Sequence, residues 1–188
     1  AGERNRCVEV IVVDDGSTDR LAEAVARVTP SPLTVRLLTA ACNRGKGYAV
    51  REGMKEARGE RVLMCDADLS TSLDQLDRLW PWLDRGFDVA IGSRRMPDSQ
   101  ILLPQGWVRR ATDTAFRAFR RSLMLRDIRD TQCGFKLFTL AAARRLFARQ
   151  NIDGFAFDCE VLVLARALGL RIAERGVVWR NNPDSRVR

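Results

Sequence analysis

Two aspartates separated by one residue, Asp66 and Asp68, are the side chains of this sequence best suited to hold a metal ion. They follow an apolar run at residues 61–65 that predicts a β-strand. In an extended segment, residues i and i+2 point to the same side, so both carboxylates can face one hard cation. Mg²⁺ or Mn²⁺ held there would bridge diphosphate oxygens and neutralise charge on a departing nucleotide. A strand-end turn whose aspartates only cap the next helix explains the same triplet equally well.

A second pair of carboxylates, Asp14 and Asp15, follows the β-branched run at residues 8–13 and precedes Gly16 and Ser17. A carboxylate in such a turn can accept hydrogen bonds from a nucleobase N–H group or from ribose hydroxyls. A helix cap combined with an Asx turn is the competing interpretation.

Residues 43–47, Asn-Arg-Gly-Lys-Gly, combine flexible glycines with two cations, Arg44 and Lys46, near the start of a predicted helix. Such a combination of glycine flexibility and cations near a helix start suits a diphosphate. Taken alone, the pentapeptide fits a basic surface turn nearly as well.

Apolar and β-branched runs alternate with segments of helical periodicity along most of the chain. Strands are predicted at residues 8–13, 34–39, 61–65, 87–91 and 171–179, and residues 135–138 form a short apolar segment. Helices are predicted after Asp19 and at residues 48–57, 72–83, 105–125, 140–148 and 157–168. This order predicts an α/β fold with a mainly parallel, twisted sheet flanked by helices. Ligands bind beyond the carboxyl ends of such strands, so the polar motifs that begin at Asp14, Asp66 and Gly92 should converge on one crevice.

The composition narrows the possible chemistry. The length of 188 residues, 46% of them hydrophobic, fits one domain with its own core. A net charge of +8 favours an anionic partner such as a nucleotide diphosphate, a lipid phosphate, an acidic membrane surface or nucleic acid. The chain has no histidine, which leaves acid, base and metal chemistry to carboxylates. Its five scattered cysteines fit a reduced, cytosolic setting.

Taken together and in this order, the motifs make the chain resemble the family-2 glycosyltransferases, which have the GT-A, nucleotide-diphospho-sugar transferase fold. More narrowly, it resembles the polyprenyl-phosphate branch, with its dolichyl-phosphate and undecaprenyl-phosphate glucosyltransferases. The most specific stretch is Asp-Thr-Gln-Cys-Gly-Phe-Lys-Leu-Phe at residues 130–138. The other segments that carry the resemblance are residues 12–19, 43–47, 66–70, 92–94 and 157–160.

The resemblance implies an inverting transfer of a hexose, glucose from UDP-glucose, to a polyprenyl or dolichyl phosphate with the help of Mg²⁺ or Mn²⁺. Asp66 and Asp68 would hold the metal, Asp68 and Asp130 would act at the reaction centre, and Arg94 and Arg109 would bind the acceptor phosphate. The implied donor-binding residues are Asp14, Asp15, Gly16, Ser17, Lys46, Asp66 and Asp68. A phosphate monoester is largely ionised near neutral pH, so it can attack without a strong base.

The lipid acceptor implies work at a membrane, and we expect a peripheral protein on the cytoplasmic face. The predicted helix at residues 105–125 has an apolar stripe and several arginines away from it, a pattern that can lie on an anionic bilayer. Packing of the same stripe on the sheet is the alternative. The family also begins with a strand and loop that this sequence lacks, so we expect residues 1–188 to be a single catalytic domain truncated at both ends, whose activity on its own is not assured.

Other functions remain open at this stage. Within the family, the donor can instead be GDP-mannose, or the acceptor a different molecule. A nucleotidyltransferase would carry a glycine-rich activation loop after its first strand, and that region is missing from this chain. A basic nucleic-acid-binding module would explain the charge, but the chain shows no recognised binding motif, so no nucleic-acid partner is predicted. The sequence does not indicate an oligomeric state.

Overall fold

The computed structural model describes residues 8–28, 34–103 and 125–180, and over these ranges strands alternate with helices. The first half contains β1 (Glu9–Asp14), α1 (Leu21–Val28), β2 (Thr34–Thr39), α2 (Lys46–Glu56), β3 (Arg61–Cys65), a 3-10 turn (Leu73–Gln75), α3 (Leu76–Asp84), β4 (Val89–Ser93) and β5 (Gln100–Leu103). The second half contains β6 (Phe135–Thr139), α4 (Leu140–Phe147), α5 (Phe157–Ala167), β7 (Ile172–Gly176) and β8 (Val178–Arg180). The predicted α/β architecture is confirmed.

The strands form a four-stranded sheet in the order β3-β6-β4-β7 and two parallel pairs, β1-β2 and β5-β8. Strands β4 and β7 are parallel, whereas β6 runs antiparallel to both of its neighbours. The sheet is therefore mixed, and β6 is the one strand of the four that runs in the opposite direction. Because β6 is reversed, the segment that precedes it lies at the same edge as the carboxyl ends of β3 and β4. Residues 130–134 are brought to the site in this way.

The two faces of β6 pack into two separate hydrophobic cores, because successive side chains of a strand point to opposite faces. Phe135 and Leu137 pack with Leu79 and Leu83 of α3, which recur at helical spacing. Phe138 packs on the other face against side chains of α4 and α5, including Phe147, with which it makes an edge-to-face contact. Full burial of such side chains stabilises a fold by about 1.5–3 kcal/mol each, so β6 is fixed from both sides.

Several element boundaries differ from the sequence prediction. The strand predicted at 87–91 begins later and includes Gly92 and Ser93, because their backbones continue the pairing with β7. The strand predicted at 171–179 is interrupted at Val177, whose N–H donates to the carbonyl of Ser93, and β8 then pairs with β5. The helix predicted at 105–125 falls almost entirely outside the described residues.

Within the described ranges, no helix has both the length and the apolar character needed to cross a bilayer.

Candidate functional site

The two candidate metal ligands lie in a turn that directly follows β3. The Asp66 N–H donates to the carbonyl of Gly134. The carbonyl of Asp66 accepts a hydrogen bond from the Leu69 N–H at 3.0 Å. That bond closes a turn, with Leu69 in the left-handed region at φ 50. The prediction of an extended Asp66–Asp68 segment is therefore wrong, and the relative direction of the two carboxylates is set by the turn. Asp68 accepts a hydrogen bond from the Ser70 N–H through Oδ1 at 2.9 Å.

A cation already faces this turn. The ammonium of Lys46, the first residue of α2, lies 2.8 Å from Oδ1 of Asp66. Burial would lower the pKa of Lys46, but the carboxylates of Asp66, Asp158 and Asp68 outweigh burial and raise it. The ammonium therefore stays charged beside these carboxylates.

Gly134 allows Asp66 to occupy its place. A Cβ atom built on Gly134 would overlap the Asp66 carboxylate, with Oδ2 as its nearest atom. Any side chain at this position would have to displace the carboxylate. The Cys-Gly-Phe stretch singled out in the sequence thus shapes the candidate metal site without supplying a ligand.

Asp14 and Asp15 make different contacts at the end of β1. Asp14 accepts a hydrogen bond from the Ser17 N–H at 2.7 Å, and hydrogen bonding by Ser17 lowers the pKa of this carboxyl. Asp15 reaches across to the glycine-rich turn, where its two oxygens accept from the N–H groups of Arg44 and Gly45 at 2.9 and 2.7 Å. The motif after β1 and the turn before α2 are therefore one bonded unit.

Gly16 completes this unit. It has φ +74, and a Cβ atom built on it would lie 2.7 Å from the backbone of Cys42 and Asn43. The two loops touch backbone to backbone at this point, which a larger residue would prevent.

The N–H groups at the start of α2 have protein partners. Gly47 and Tyr48 donate to the carbonyl of Asp153 at 2.6 and 3.2 Å, and the Asp153 side chain pairs with Arg44 and Arg51. These amides are therefore not presented to a diphosphate. The turn offers the side chain of Lys46 instead.

Asp130 and Arg94 form a tight ion pair near the carboxyl end of β4. Oδ2 of Asp130 accepts from the Arg94 backbone N–H at 2.9 Å and from Nε at 2.7 Å, while Oδ1 accepts from Nη2 at 2.9 Å. Burial would raise the pKa of Asp130, but Arg94 outweighs burial and lowers it. The Asp130 N–H in turn donates to Glu174 at 2.7 Å. Both carboxylate oxygens thus serve to orient Arg94.

A second buried ion pair was not predicted from the sequence. Lys136 is 1% exposed, and its ammonium donates to Oδ1 of Asp158 at 2.5 Å and to the carbonyl of Cys133 at 2.6 Å. Burial raises the pKa of Asp158 in spite of the nearby Lys136 and Lys46. The available signal was a lysine within the apolar run Phe-Lys-Leu-Phe, a position that is buried only if a partner neutralises it.

These contacts join the motifs after β1 and β3 through the glycine-rich turn. They join Asp15 to Gly45, the adjacent Lys46 to Asp66, and Asp66 to Gly134. The strands β3 and β4 flank β6, so the Asp66 and Arg94 backbones lie roughly 10 Å apart, two strand spacings. Arg109 lies outside the described residues.

The donor set at Asp66 and Asp68 fits a hard divalent cation, since it consists of carboxylate oxygens and already faces an ammonium. Among the described residues, no group of three or more acidic, cysteine or histidine side chains is placed to hold a metal. A metal here would thus take its remaining ligands from a bound molecule and water, as Mg²⁺ commonly does with substrate phosphates.

Comparison with solved structures identifies the fold. The chain superposes on the crystal structure of M. tuberculosis glucosyl-3-phosphoglycerate synthase with a TM-score of 0.69 and 19% identity, over 94% of this chain and 62% of that one. A mannosyltransferase from Pyrobaculum calidifontis gives a TM-score of 0.63 and 24% identity, over 95% of this chain and 49% of that one. The predicted GT-A fold is confirmed.

Comparison with characterised sequences identifies the family. The chain is 38% identical to the dolichyl-phosphate beta-glucosyltransferase of Dictyostelium discoideum over 91% of this chain and 54% of the relative. It is 39% identical to that of Drosophila melanogaster over 95% of this chain and 57% of the relative. The chain thus spans about half the length of these relatives. The model of the family described as "Glycosyl transferase family 2" matches residues 5–151, most of the chain, and the protein belongs to this family.

Proposed function

We propose that this chain carries the catalytic core of a glucosyltransferase that transfers glucose from UDP-glucose to dolichyl phosphate or another polyprenyl phosphate. The observation that carries the proposal is the line of contacts joining the Asp15 loop, Lys46, Asp66 and Gly134 at the edge of the sheet where Arg94 also lies. It combines carboxylates suited to a metal diphosphate with cations suited to two phosphate groups. The two relatives named above each align with more than 90% of this chain, and their names support glucose as the sugar and a lipid phosphate as the acceptor.

The donor is proposed to lie along the loops after β1 and β3. Asp15 holds the glycine-rich turn in place, while Asp14, Gly16 and Ser17 form the adjoining loop proposed to contact the nucleoside. Asp66 and Asp68 would hold Mg²⁺ or Mn²⁺, which when bound neutralises charge on the departing diphosphate. The M. tuberculosis synthase has been crystallised with Mn²⁺ and UDP-glucose, which supports this assignment.

The acceptor phosphate is proposed to bind at Arg94, whose guanidinium Asp130 keeps in a fixed orientation. A phosphate monoester oxygen, already ionised, then attacks the anomeric carbon from the side opposite the diphosphate, which inverts the configuration. Asp130 acts through Arg94 and needs to accept no proton. Arg109 is proposed from the sequence alone as a second cation for this phosphate.

The site is proposed to work at the cytoplasmic face of a membrane, with the protein bound peripherally. Ile101 and Leu102 of β5 support contact with lipid, because both apolar side chains are exposed, by 51% and 57%. Neighbouring residues of a strand face opposite sides of it, so the two side chains offer apolar surface on both sides of β5.

Transfer of radiolabelled glucose from UDP-glucose to dolichyl phosphate in detergent tests the proposal. GDP-mannose is run in parallel, and each donor is measured with Mn²⁺, with Mg²⁺ and with a chelator. We expect labelled lipid only with UDP-glucose and metal. Transfer from GDP-mannose and not from UDP-glucose would replace the glucosyl assignment with a mannosyl one.

A matched pair of variants tests the metal role. Asp68→Asn removes a candidate ligand, whereas Asp77→Asn removes the same charge from an exposed position on α3. Calorimetry with UDP-glucose and Mn²⁺ should show weaker binding only for Asp68→Asn. Equal binding by both variants would remove Asp68 from the metal site.

A further inference from the structure

Lys46 pairs with a carboxylate that the proposed function assigns to a metal. Its ammonium lies 2.8 Å from Oδ1 of Asp66, and the two side chains are 25% and 35% exposed. Both side chains keep access to solvent, so the ammonium and the carboxylate can each exchange this partner for another. The contact with Asp66 is therefore one that another cation can replace.

The backbone around Lys46 is held by hydrogen bonds on both sides, whereas, within the described residues, its side chain is held only by its contacts with Asp66 and, at 5.9 Å, with the ring of Phe157. On one side the Gly45 N–H binds Asp15, and on the other the Gly47 N–H binds the carbonyl of Asp153. Lysine carries a compact charge on a flexible four-carbon stem. Its ammonium can thus leave Asp66 without any rearrangement of the turn or of α2.

The carboxylates around the turn after β3 favour a bound cation. The carboxylates of Asp66, Asp158 and Asp68 all act on the Lys46 ammonium. Asp158 is already paired with Lys136 in the interior, which leaves the Asp66 and Asp68 turn as the part of the cluster open to a ligand. A divalent ion that binds without a nucleotide must therefore compete with the Lys46 ammonium for the carboxylate of Asp66.

We infer that Lys46 is an internal competitor for the divalent cation: it occupies Asp66 in the ligand-free site and moves to the donor diphosphate when metal and nucleotide bind together. This inference rests on the proposed donor site. The nucleotide gives the displaced ammonium a new anionic partner, so metal and nucleotide each raise the affinity of the other. Such coupling is reciprocal, and Lys46 is its source.

Binding measurements on the full chain separate Lys46 from a simple phosphate ligand. Mn²⁺ alone is titrated by calorimetry and by the electron paramagnetic resonance signal of the free ion, and UDP is titrated at saturating Mn²⁺. For Lys46→Met we expect Mn²⁺ alone to bind about fivefold tighter and UDP with Mn²⁺ to bind about tenfold weaker. The opposite signs are diagnostic, because a residue that only binds phosphate would leave Mn²⁺ alone unaffected.

Two further variants control for charge and for chemistry. Lys55→Met removes the same charge from the same helix, about 14 Å along the helix axis from Lys46. Lys55 pairs with Glu52, and its substitution should change neither affinity. Lys46→Arg keeps a cation and should restore weak Mn²⁺ binding. Lys46→Gln is measured beside Lys46→Met, with thermal melting of each, so that a folding defect in one variant does not decide the result.

The outcomes distinguish this inference from the proposed function. If folded Lys46→Met and Lys46→Gln bind Mn²⁺ alone no tighter than the wild type, the competition is overturned. If the wild type binds no Mn²⁺ even with UDP, or if Asp68→Asn binds Mn²⁺ with UDP as the wild type does, the metal site itself fails. Tighter binding of Mn²⁺ in Lys55→Met as well would assign the effect to net charge and would also overturn the role of Lys46.

Discussion

Asp130 binds the guanidinium of Arg94 through both carboxylate oxygens, with Oδ2 2.7 Å from Nε and Oδ1 2.9 Å from Nη2. This two-point geometry fixes the plane of the guanidinium as well as its position. Asp130 is 3% exposed, so it influences a bound phosphate through Arg94. The sequence-based assignment of Asp130 to the reaction centre therefore becomes a proposal about positioning.

Asp130→Asn should reduce transfer without weakening donor binding. The amide cannot accept from both Nε and Nη2, so Arg94 loses its fixed orientation, and misplacement of a positioning group can cost about 100-fold in rate. We expect kcat to fall by about tenfold or more, while UDP affinity at saturating Mn²⁺ stays within about twofold. Asp127→Asn, in an exposed pair with Arg166, is the matched control for loss of an Asp–Arg contact. Weaker UDP binding in Asp130→Asn would point to a structural role instead.

The same ion pair predicts a pH dependence of stability. Arg94 outweighs burial and lowers the pKa of Asp130. The folded chain therefore binds fewer protons at this site than the unfolded chain, and the stabilisation is present above the unfolded pKa of about 4 and is lost as the pH falls through the folded pKa. Urea titrations should show Asp130→Asn less stable than the wild type by about 2 kcal/mol at neutral pH, with the difference shrinking below about pH 4. A difference that stays constant with pH would exclude an ionised Asp130 as the cause.

Removal of one partner of the buried Lys136–Asp158 pair should be costly. Lys136→Met leaves a buried carboxylate without its cation, which costs about 3 kcal/mol or more in free energy of unfolding. The double variant Lys136→Met with Asp158→Leu should recover most of that loss, because neither charge is then buried alone. Urea unfolding of both single variants and the double variant measures the coupling. Additive losses would contradict it.

The sequence could locate the strand-end motifs because apolar runs and turn residues are local signals. β3 spans the same residues as its apolar run, and Asp66 begins the turn after it. The direction of β6 could not be predicted in this way, since an apolar run does not encode which way its strand is laid in the sheet. That direction nevertheless brings Asp130 and Gly134 to the site.

The contacts that define the candidate site are long-range, and for that reason the sequence did not reveal them. Asp15 carries a signal for a turn, but its hydrogen bonds go to residues 29 and 30 positions away. Lys136 is charged within an apolar strand, and its burial depends on Asp158, 22 positions later. Which cation meets which carboxylate is set by tertiary packing, whereas residue type and spacing predicted only that both would be present.

Asp15→Asn tests the bonded unit formed by the loop after β1 and the glycine-rich turn. An amide can accept through only one of the two positions, so one of the Arg44 and Gly45 N–H groups loses its partner, at a cost of about 1 kcal/mol. Hydrogen exchange of these two amides should become faster, and UDP should bind more weakly. Asp19→Asn is the control, since Asp19 accepts from the Leu21 N–H in a separate local contact. Unchanged exchange at residues 44 and 45 would show that Asp15 does not hold the turn.

Gly134→Ala should disable the candidate metal site with a single methyl group. The added Cβ would overlap the Asp66 carboxylate, which must then leave its place beside Lys46. We expect binding of UDP with Mn²⁺ to weaken by about tenfold or more, since altering a group that orients a metal ligand typically costs about 10–100-fold in metal affinity. Gly154→Ala is the matched control, because a Cβ atom there meets nothing within 4 Å and the substitution should leave binding unchanged. Calorimetry on both variants decides the matter: wild-type affinity in a folded Gly134→Ala protein would mean that the position of Asp66 beside Gly134 is not needed to hold the metal.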